Sequence, residues 1–312
     1  MLSRRLIRIK AFQVLFAYFK SEQKNIVNTQ KELIFSLNKT YEMYHMILAL
    51  LLEIRDKFEE KIERAKNKKL PTPEDLNPNT KFIDNRFFKQ LKNTESFQRY
   101  IDTKKISWKE HTHIVNKLIK QIEEEEYFLK YMNLPTTYKD DKKVLINIVE
   151  NNISQFEEFE EFFEDQSIYW NDEFEFVLSM VIRTIEKTKE RHEEAKILKL
   201  WKAEADKYYA EELVKEVILQ HDEITGVLMK YIKNWDPDRI AFADMLLMEM
   251  AYVELTKFPE IPVKVSLNEY IEIAKYYSTK QSGTFINGIL DKVHKYLKEN
   301  NLINKSGLGL KE

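Results

Sequence analysis

Four basic side chains lie close together at the start of the chain. Arg4, Arg5, Arg8 and Lys10 fall within seven residues that contain no acidic residue, and Phe16 follows soon after. The planar guanidinium group of arginine matches the geometry of a phosphate, and aromatic rings stack on unpaired bases. The pattern therefore indicates a binding site for single-stranded RNA. The alternative that stays open is a basic first turn that only keeps the protein in solution.

Patterns that could carry catalysis or hold a metal are weak. The chain has no cysteine, which removes thiolate nucleophiles and cysteine-based zinc sites. Its G-x-G pair, Gly307 and Gly309, follows no predicted strand, as a phosphate-binding loop would require. His111 and His113 would point about 200° apart on a helix, and the acidic run 157–161 lacks a positioned cation. We expect no enzyme activity, no cofactor and no metal site.

Composition favours an all-helical fold. The chain has five glycines, and none of them lies in the first 225 residues, whereas β-hairpins depend on glycine in their tight turns. Apolar residues recur instead at helical spacing. The net charge of −2 means that any RNA site must be a local patch. No apolar run is long enough to cross a membrane, and the N-terminus lacks a signal-peptide pattern, so we expect a cytoplasmic protein.

The apolar spacing predicts a series of helices separated by breaks. Three prolines between residues 67 and 82 predict an ordered connection rather than a helix. His45 falls in the apolar part of the second helix, where we expect a core histidine with a hydrogen-bonded ring nitrogen. The expected helices lie near residues 4–20, 30–66, 85–91, 108–132, 143–166, 173–190, 193–220, 222–233, 238–257, 266–277 and 284–299.

The last two predicted helices have the clearest sequence signals. Ser266 and Glu269 have the spacing of a capping box at a helix start, and Val265 beside them is expected in the core. In the final helix Ile286, Ile289, Leu290, Val293 and Leu297 form an apolar stripe. Gly288 lies inside that helix at a cost of about 1 kcal/mol relative to alanine, which predicts close helix–helix packing there. The tail after residue 300 is expected to be frayed.

Two stretches resemble the NusB family of bacterial transcription antitermination factors. The first is RRLIRIKAFQVLFAY at residues 4–18, and the second is AYVELTKFPEIPVKVSLNEYIEIAKYYSTKQSGTFINGILDKV at residues 251–293. The elements IPVKVSLNE, IEIAK and FINGILDK match the family pattern in order and spacing. The resemblance implies an all-α, NusB-like bundle of two helical subdomains. It also implies a protein that is not an enzyme and that binds boxA, a short single-stranded RNA element of ribosomal RNA leaders.

The resemblance also implies partners and contact residues. The family binds boxA together with NusE, a small-subunit ribosomal protein, and supports the transcription elongation complex against termination. The RNA-binding residues expected from the match are Arg4, Arg5, Arg8, Lys10, Phe16 and Phe285. The residues expected to face NusE are Asp238, Asp244, Tyr277 and Gln281. Gln281 replaces a usual acid and Thr284 replaces a usual lysine, so the chain departs from the pattern at this loop.

The chain is more than twice as long as a typical family member, which predicts an insertion. We expect N-terminal helices at 1–49, a helical insertion at 50–170, a C-terminal NusB-like part at 171–300 and a flexible tail at 301–312. A helical interaction scaffold that has lost or altered RNA binding is the main alternative function. The same domain also occurs fused to RNA cytosine methyltransferases. Those enzymes need glycine-rich loops and catalytic cysteines, which this sequence does not supply.

Overall fold

A computed structural model describes residues 1–135, 137–232 and 240–310, except for the side chain of Glu160. These residues form helices and no strand, which confirms the predicted all-α class. They divide into two compact units. The middle unit comprises residues 38–200 and Met1, and the terminal unit comprises residues 2–37 and 201–312. Among the helices of the described ranges, none combines the length and the apolar character that crossing a membrane would require.

The terminal unit is built around one helix that is buried on nearly every side. Its helices are α1 (Arg4–Lys20), the first part of α2 (Ile26–Lys66), α11 (Glu204–Met229), α12 (Phe242–Lys257), α13 (Val263–Tyr277) and α14 (Ser282–Glu299). Every residue of α12 from Leu246 to Leu255 is buried, as expected of a helix at the centre of a bundle. Helices α1, α11, α13 and α14 pack around it.

The middle unit contains the remainder of α2 and a series of shorter helices. These are α3 (Pro73–Leu76), α4 (Arg86–Asn93), α5 (Glu95–Lys104), α6 (Thr112–Glu124), α7 (Glu126–Asn133), α8 (Tyr138–Asn147), α9 (Glu157–Gln166) and α10 (Phe174–Lys187). A π-helical segment, Ile148–Ile153, extends α8. The unit has its own core, in which Trp108 is 1% exposed and donates its indole N–H to the Met46 carbonyl at 2.9 Å.

Helix boundaries differ from the sequence prediction where tertiary contacts decide the backbone. The helix expected over 108–132 is interrupted, because Glu125 is extended between α6 and α7. The helix expected to begin at residue 193 begins instead at Glu204. In the skipped segment the backbone N–H of Ala195 donates to the Gln90 carbonyl at 3.2 Å and to the Thr94 hydroxyl at 2.9 Å. These bonds replace the helical ones. Helix α5 was not predicted.

Helix α13 begins three residues before the predicted capping box, so that prediction is wrong. Pro262 is its N-terminal cap residue, and the Ser266 hydroxyl donates into the core instead of capping a backbone N–H. Val265 is 43% exposed, so its predicted burial is also wrong. The predicted stripe of α14 is confirmed, since all five of its apolar residues are buried. The close packing predicted at Gly288 is wrong, because no other side chain or backbone would lie within 4 Å of an added Cβ.

Two polar details concern a histidine and the tail. His45 is 1% exposed, and its Nδ1 lies 2.9 Å from the Tyr41 carbonyl, which confirms a core histidine with a hydrogen-bonded ring. After α14, the Lys305 ammonium donates to the Phe258 carbonyl at 3.0 Å, at the C-terminal end of α12. Gly309 is buried against the backbone of Pro259. The tail therefore contacts the rest of the terminal unit at Lys305 and Gly309.

Candidate nucleic-acid interface

The first two arginines lie on the surface at the start of α1. Ser3 caps the helix by accepting a hydrogen bond from the Leu6 backbone N–H at 3.2 Å. Arg4 pairs with Asp206 at 3.2 Å. Arg5 is 53% exposed and donates from Nε and Nη2 to both carboxylate oxygens of Glu269, at 2.8 and 2.7 Å. This hydrogen-bonded carboxylate raises the pKa of Arg5. Within the described ranges, Nη1 of Arg5 has no hydrogen-bond partner, so it can still donate to a phosphate.

Arg8 occupies a different environment, since its side chain is 2% exposed. It donates from Nε and Nη2 to the two oxygens of Glu254 at 2.8 and 2.7 Å. The hydroxyls of Ser266 and Tyr270 also donate to Glu254, at 2.7 and 3.0 Å, and so does the hydroxyl of Tyr209. This set of side chains satisfies a charged pair in the core, as a buried ion pair requires.

The charges of this buried cluster are mutually stabilised. Burial opposes the charge of Arg8, but its interactions with Tyr209 and Glu254 outweigh burial and raise the pKa of Arg8. Burial alone would raise the pKa of Glu254, yet Arg8 and the neighbouring hydroxyls hold it below its usual value. Both groups are therefore ionised together. Lys10 is likewise buried, at 2% exposure. The roles of Arg8 and Lys10 in RNA binding stay predictions, and their burial does not favour them.

An aromatic patch lies further along α1. The ring of Phe16 is 36% exposed and meets the edge of Phe242, with the ring centroids 5.3 Å apart. The Lys20 ammonium lies 4.5 Å from the Phe242 centroid and 5.9 Å from that of Phe16. Phe12 supports Phe16 from the buried side at 6.0 Å, and Tyr277 packs on Phe12 at 5.6 Å. We call Phe16, Phe242 and Lys20 the aromatic platform.

A groove beside α14 brings together several of the other predicted residues. It has a volume of about 580 Å³ and is lined by Ile240, Ala241, Asp244, Thr279, Lys280, Gln281, Ser282, Thr284, Phe285, Gly288, Ile289 and Lys292. Gln281 is exposed and Phe285 is partly exposed. Tyr277 does not line the groove. Asp238 lies outside the described residues.

Asp244 lies in the first turn of α12 with 5% exposure. Its Oδ2 accepts a hydrogen bond from the Ser282 hydroxyl at 2.9 Å, which links the start of α12 to the start of α14. Its buried Oδ1 has no hydrogen-bond partner in the described part of the chain. A buried acceptor without a donor is unfavourable. No metal-binding group of His, Asp and Glu residues occurs in the described ranges.

Sequence reasoning missed two parts of this surface. Lys20 and Phe242 complete the aromatic platform, but neither was predicted. The signal for Lys20 was available, since it lies four residues after Phe16 and so one turn further along the same helix face. Phe242 is 226 positions from Phe16 in the sequence, and nothing in its neighbourhood indicates that the two rings meet.

The terminal unit is an all-helical bundle that presents arginines, a lysine and aromatic rings along its first helix. Residues 175–295 match the model of the NusB family. The matched range is similar to a NusB family domain, and it includes most of α10 of the middle unit together with α11, α12, α13 and most of α14 of the terminal unit.

Curated relatives carry the same name. The chain is 45% identical over 102 residues to the transcription antitermination protein NusB of Salinibacter ruber, a match that covers 33% of this chain and 64% of the relative. It is 41% identical over 92 residues to NusB of Acetivibrio thermocellus, covering 30% and 63%. A third match, to NusB of Chloroherpeton thalassium, is 41% identical over 98 residues and covers 31% and 46%. The chain thus spans less than two thirds of the length of these relatives. No solved structure matches the chain.

Proposed function

We propose that the protein is a non-catalytic transcription antitermination factor of the cytoplasm that binds single-stranded RNA of the boxA type together with NusE. The observation that carries the proposal is the outer face of α1. Arg5 and Phe16 are eleven residues apart, so they share one helix face at a separation of about 16 Å. Phosphates bind to guanidinium groups and unstacked bases bind to aromatic rings, which makes this face suitable for a single strand.

The aromatic platform supports RNA rather than a folded acidic protein as the ligand of this face. The exposed ring of Phe16 and the ring of Phe242 offer stacking surface for a base of any sequence. Lys20 places a cation over the Phe242 ring and close to the Phe16 ring, where it can meet the phosphate of a nucleotide stacked on Phe16. Arg4 and Arg5 supply positive charge at the other end of the helix. Arg8 and Lys10 are buried, so they would affect RNA binding by holding α1 in place rather than by touching the RNA.

The groove beside α14 is the proposed contact for NusE. It is lined by Asp244, whose Oδ1 has no hydrogen-bond partner among the described residues, and by the exposed Gln281. Gly288 keeps the groove open, because a side chain at this lining position would extend into the empty space of the groove. Gly226 offers a matched control, since it is also an exposed helical glycine with no atom within 4 Å of an added Cβ. We expect Gly288→Trp to abolish NusE binding and Gly226→Trp to preserve it.

RNA binding is tested with Arg5→Glu and Phe16→Ala on a labelled boxA-type RNA, with and without NusE. We expect Arg5→Glu to lower the affinity about tenfold and to reduce the salt slope by about 0.7. Phe16→Ala should lower the affinity by about 1–3 kcal/mol, the usual contribution of one stacked base. The matched control is Arg99→Glu, which reverses an exposed arginine that is also paired with a glutamate. If Arg99→Glu weakened binding as much as Arg5→Glu, α1 would not be the RNA site.

The second candidate function is a helical interaction scaffold that no longer binds RNA. It is favoured by the burial of Arg8 and Lys10 and by the pairing of Arg5 with Glu269, which together leave less free positive charge than the sequence indicates. Under this alternative the wild-type protein would bind NusE but would show no affinity for boxA-type RNA above that for a random single strand. The same titration therefore separates the two functions.

A further inference from the structure

A histidine close to the aromatic platform is held by a buried carboxylate. Glu249 of α12 is 1% exposed. One of its oxygens lies 2.8 Å from Nδ1 of His221, and the other accepts a hydrogen bond from the Thr225 hydroxyl at 2.8 Å. Burial raises the pKa of Glu249, and the contacts with His221 and Thr225 oppose that effect. Because a buried carboxylate needs donors, we assign the proton of the neutral His221 ring to Nδ1.

The other ring nitrogen of His221 reaches solvent. The side chain is 30% exposed. Within the described ranges, Nε2 forms no hydrogen bond, and it is not among the buried polar atoms that lack a partner. When a histidine ring is protonated, both of its nitrogens donate hydrogen bonds. A protonated His221 would therefore keep Nδ1 on Glu249 and offer Nε2 to a ligand.

Aromatic rings connect this histidine to the platform. The ring of His221 lies on that of Phe19, with 4.3 Å between the centroids and 33° between the planes. Phe19 is partly exposed, and it meets Phe242 of the aromatic platform with the centroids 6.1 Å apart. The Lys24 ammonium lies 5.8 Å from the Phe19 centroid. Aromatic surface and positive charge thus continue from the platform towards His221.

We propose that His221 is a further RNA contact, which donates from Nε2 to a phosphate of the strand that stacks on the aromatic platform. The proposal rests on the proposed RNA site of α1. Histidine gains its charge between about pH 8 and 5, whereas the bare Nε2 of a neutral ring would face the phosphate oxygens as a second acceptor. RNA affinity should therefore rise as the pH falls through this range.

The charged groups around the ring come from three elements. Glu249 belongs to α12, and Asp222 follows His221 on α11 and acts on Glu249. Lys24 lies on Phe19, and Lys20 lies on Phe242. Two acids and two lysines therefore surround the histidine, so the pH response has to be assigned by changing His221 itself.

The test is titration of a labelled boxA-type RNA with the full-length protein at about pH 6 and about pH 8, with and without NusE. For the wild type we expect about fivefold higher affinity at the lower pH, the upper end for an exposed ion pair. The salt slope should also be steeper there by about 0.7, which corresponds to one additional phosphate contact on a single strand.

Two variants remove Nε2 at different sites. His221→Asn keeps a donor near the position of Nδ1, and we expect it to lose the pH response of both the affinity and the salt slope. The matched control is His113→Asn, which changes an exposed histidine of α6 in the middle unit. It should keep the response of the wild type.

A variant of the carboxylate separates RNA contact from a purely structural role. Glu249→Gln keeps an acceptor for Nδ1 but removes the charge beside the ring, so affinity at about pH 6 should fall towards that at about pH 8. Equal losses at both pH values in His221→Asn would overturn the proposal, because they would show a role in the fold alone. If Phe16→Ala weakened binding while His221→Asn kept the full pH response, the proposal would be wrong and the RNA site on α1 would stand. No RNA binding by the wild type at either pH would overturn both.

Discussion

Replacing Glu254 by glutamine tests whether the buried pair with Arg8 holds the terminal unit together. The change keeps the size of the side chain but removes its charge and turns one acceptor into a donor that faces a donor. Removing one partner of a buried ion pair costs roughly 3–5 kcal/mol. Glu269 lies 3.6 Å from Nη1 of Arg8 and still faces the guanidinium group. We therefore expect the lower end of that range, about 3 kcal/mol.

The assay is urea denaturation followed by circular dichroism, with the free energy of unfolding taken from the midpoint and the slope. The matched control is Glu272→Gln, the same substitution at an exposed residue of α13 that pairs with Lys275. It should leave the midpoint unchanged. A loss smaller than about 1 kcal/mol for Glu254→Gln, the level of an exposed pair, would refute the reasoning.

RNA binding by the same protein separates structure from function. Where Arg8→Met and Glu254→Gln are folded by circular dichroism and α1 keeps its wild-type orientation, both should bind boxA-type RNA within about twofold of the wild type, since neither side chain reaches the surface. A large loss of affinity in a folded Arg8→Met variant would instead make Arg8 an RNA contact.

Three further changes give expectations that are separate from RNA binding. Burial lowers the pKa of His45 to about 4, below its ordinary 6.5. The unfolded chain then binds the extra proton between these values, so stability falls by up to about 3 kcal/mol as the pH drops from 6.5 to 4. Denaturation midpoints of His45→Phe should vary less over this window, and an unchanged pH dependence would contradict a neutral buried ring. Gly309→Ala should destabilise the protein in thermal unfolding, because its Cβ would lie 1.9 Å from the Pro259 carbonyl oxygen. Gly226→Ala, in α11 with no close neighbour, should stabilise it by about 0.5–1 kcal/mol. If the tail did not pack on Pro259, Gly309→Ala would no longer lower the stability.

Apolar periodicity predicted the helices well where burial is apolar. The stripe of α14 follows this rule, since its core face consists of leucine, isoleucine and valine. Helix α13 does not follow it, because its buried residues include Ser266 and Tyr270. Both donate to Glu254, so the buried face of α13 is set partly by polar residues. A prediction from hydrophobic residues alone does not find that face. The predicted capping box failed for the same reason.

The candidate site was predictable in composition but not in exposure. A cluster of arginines indicates positive charge, yet it does not reveal that the partner of Arg8 lies 246 positions away and inside the core. The same limit applies to Phe242, which joins Phe16 only through the packing of α12 on α1. Local sequence fixes the chemistry available on a helix, whereas distant residues decide which side of that helix is covered.

The buried and exposed basic residues of α1 depend on each other. Arg8 is held by Glu254 and lies against Tyr209 and Tyr270, with centroid distances of 5.7 and 5.8 Å, which fixes the rotation of α1 about its own axis. Because Arg5 and Phe16 project from the same rigid helix, that rotation also determines that both face outward. A stretch of similar charge thus serves two purposes. The arginine in the core orients the helix, and the arginines on the surface are left to meet the ligand.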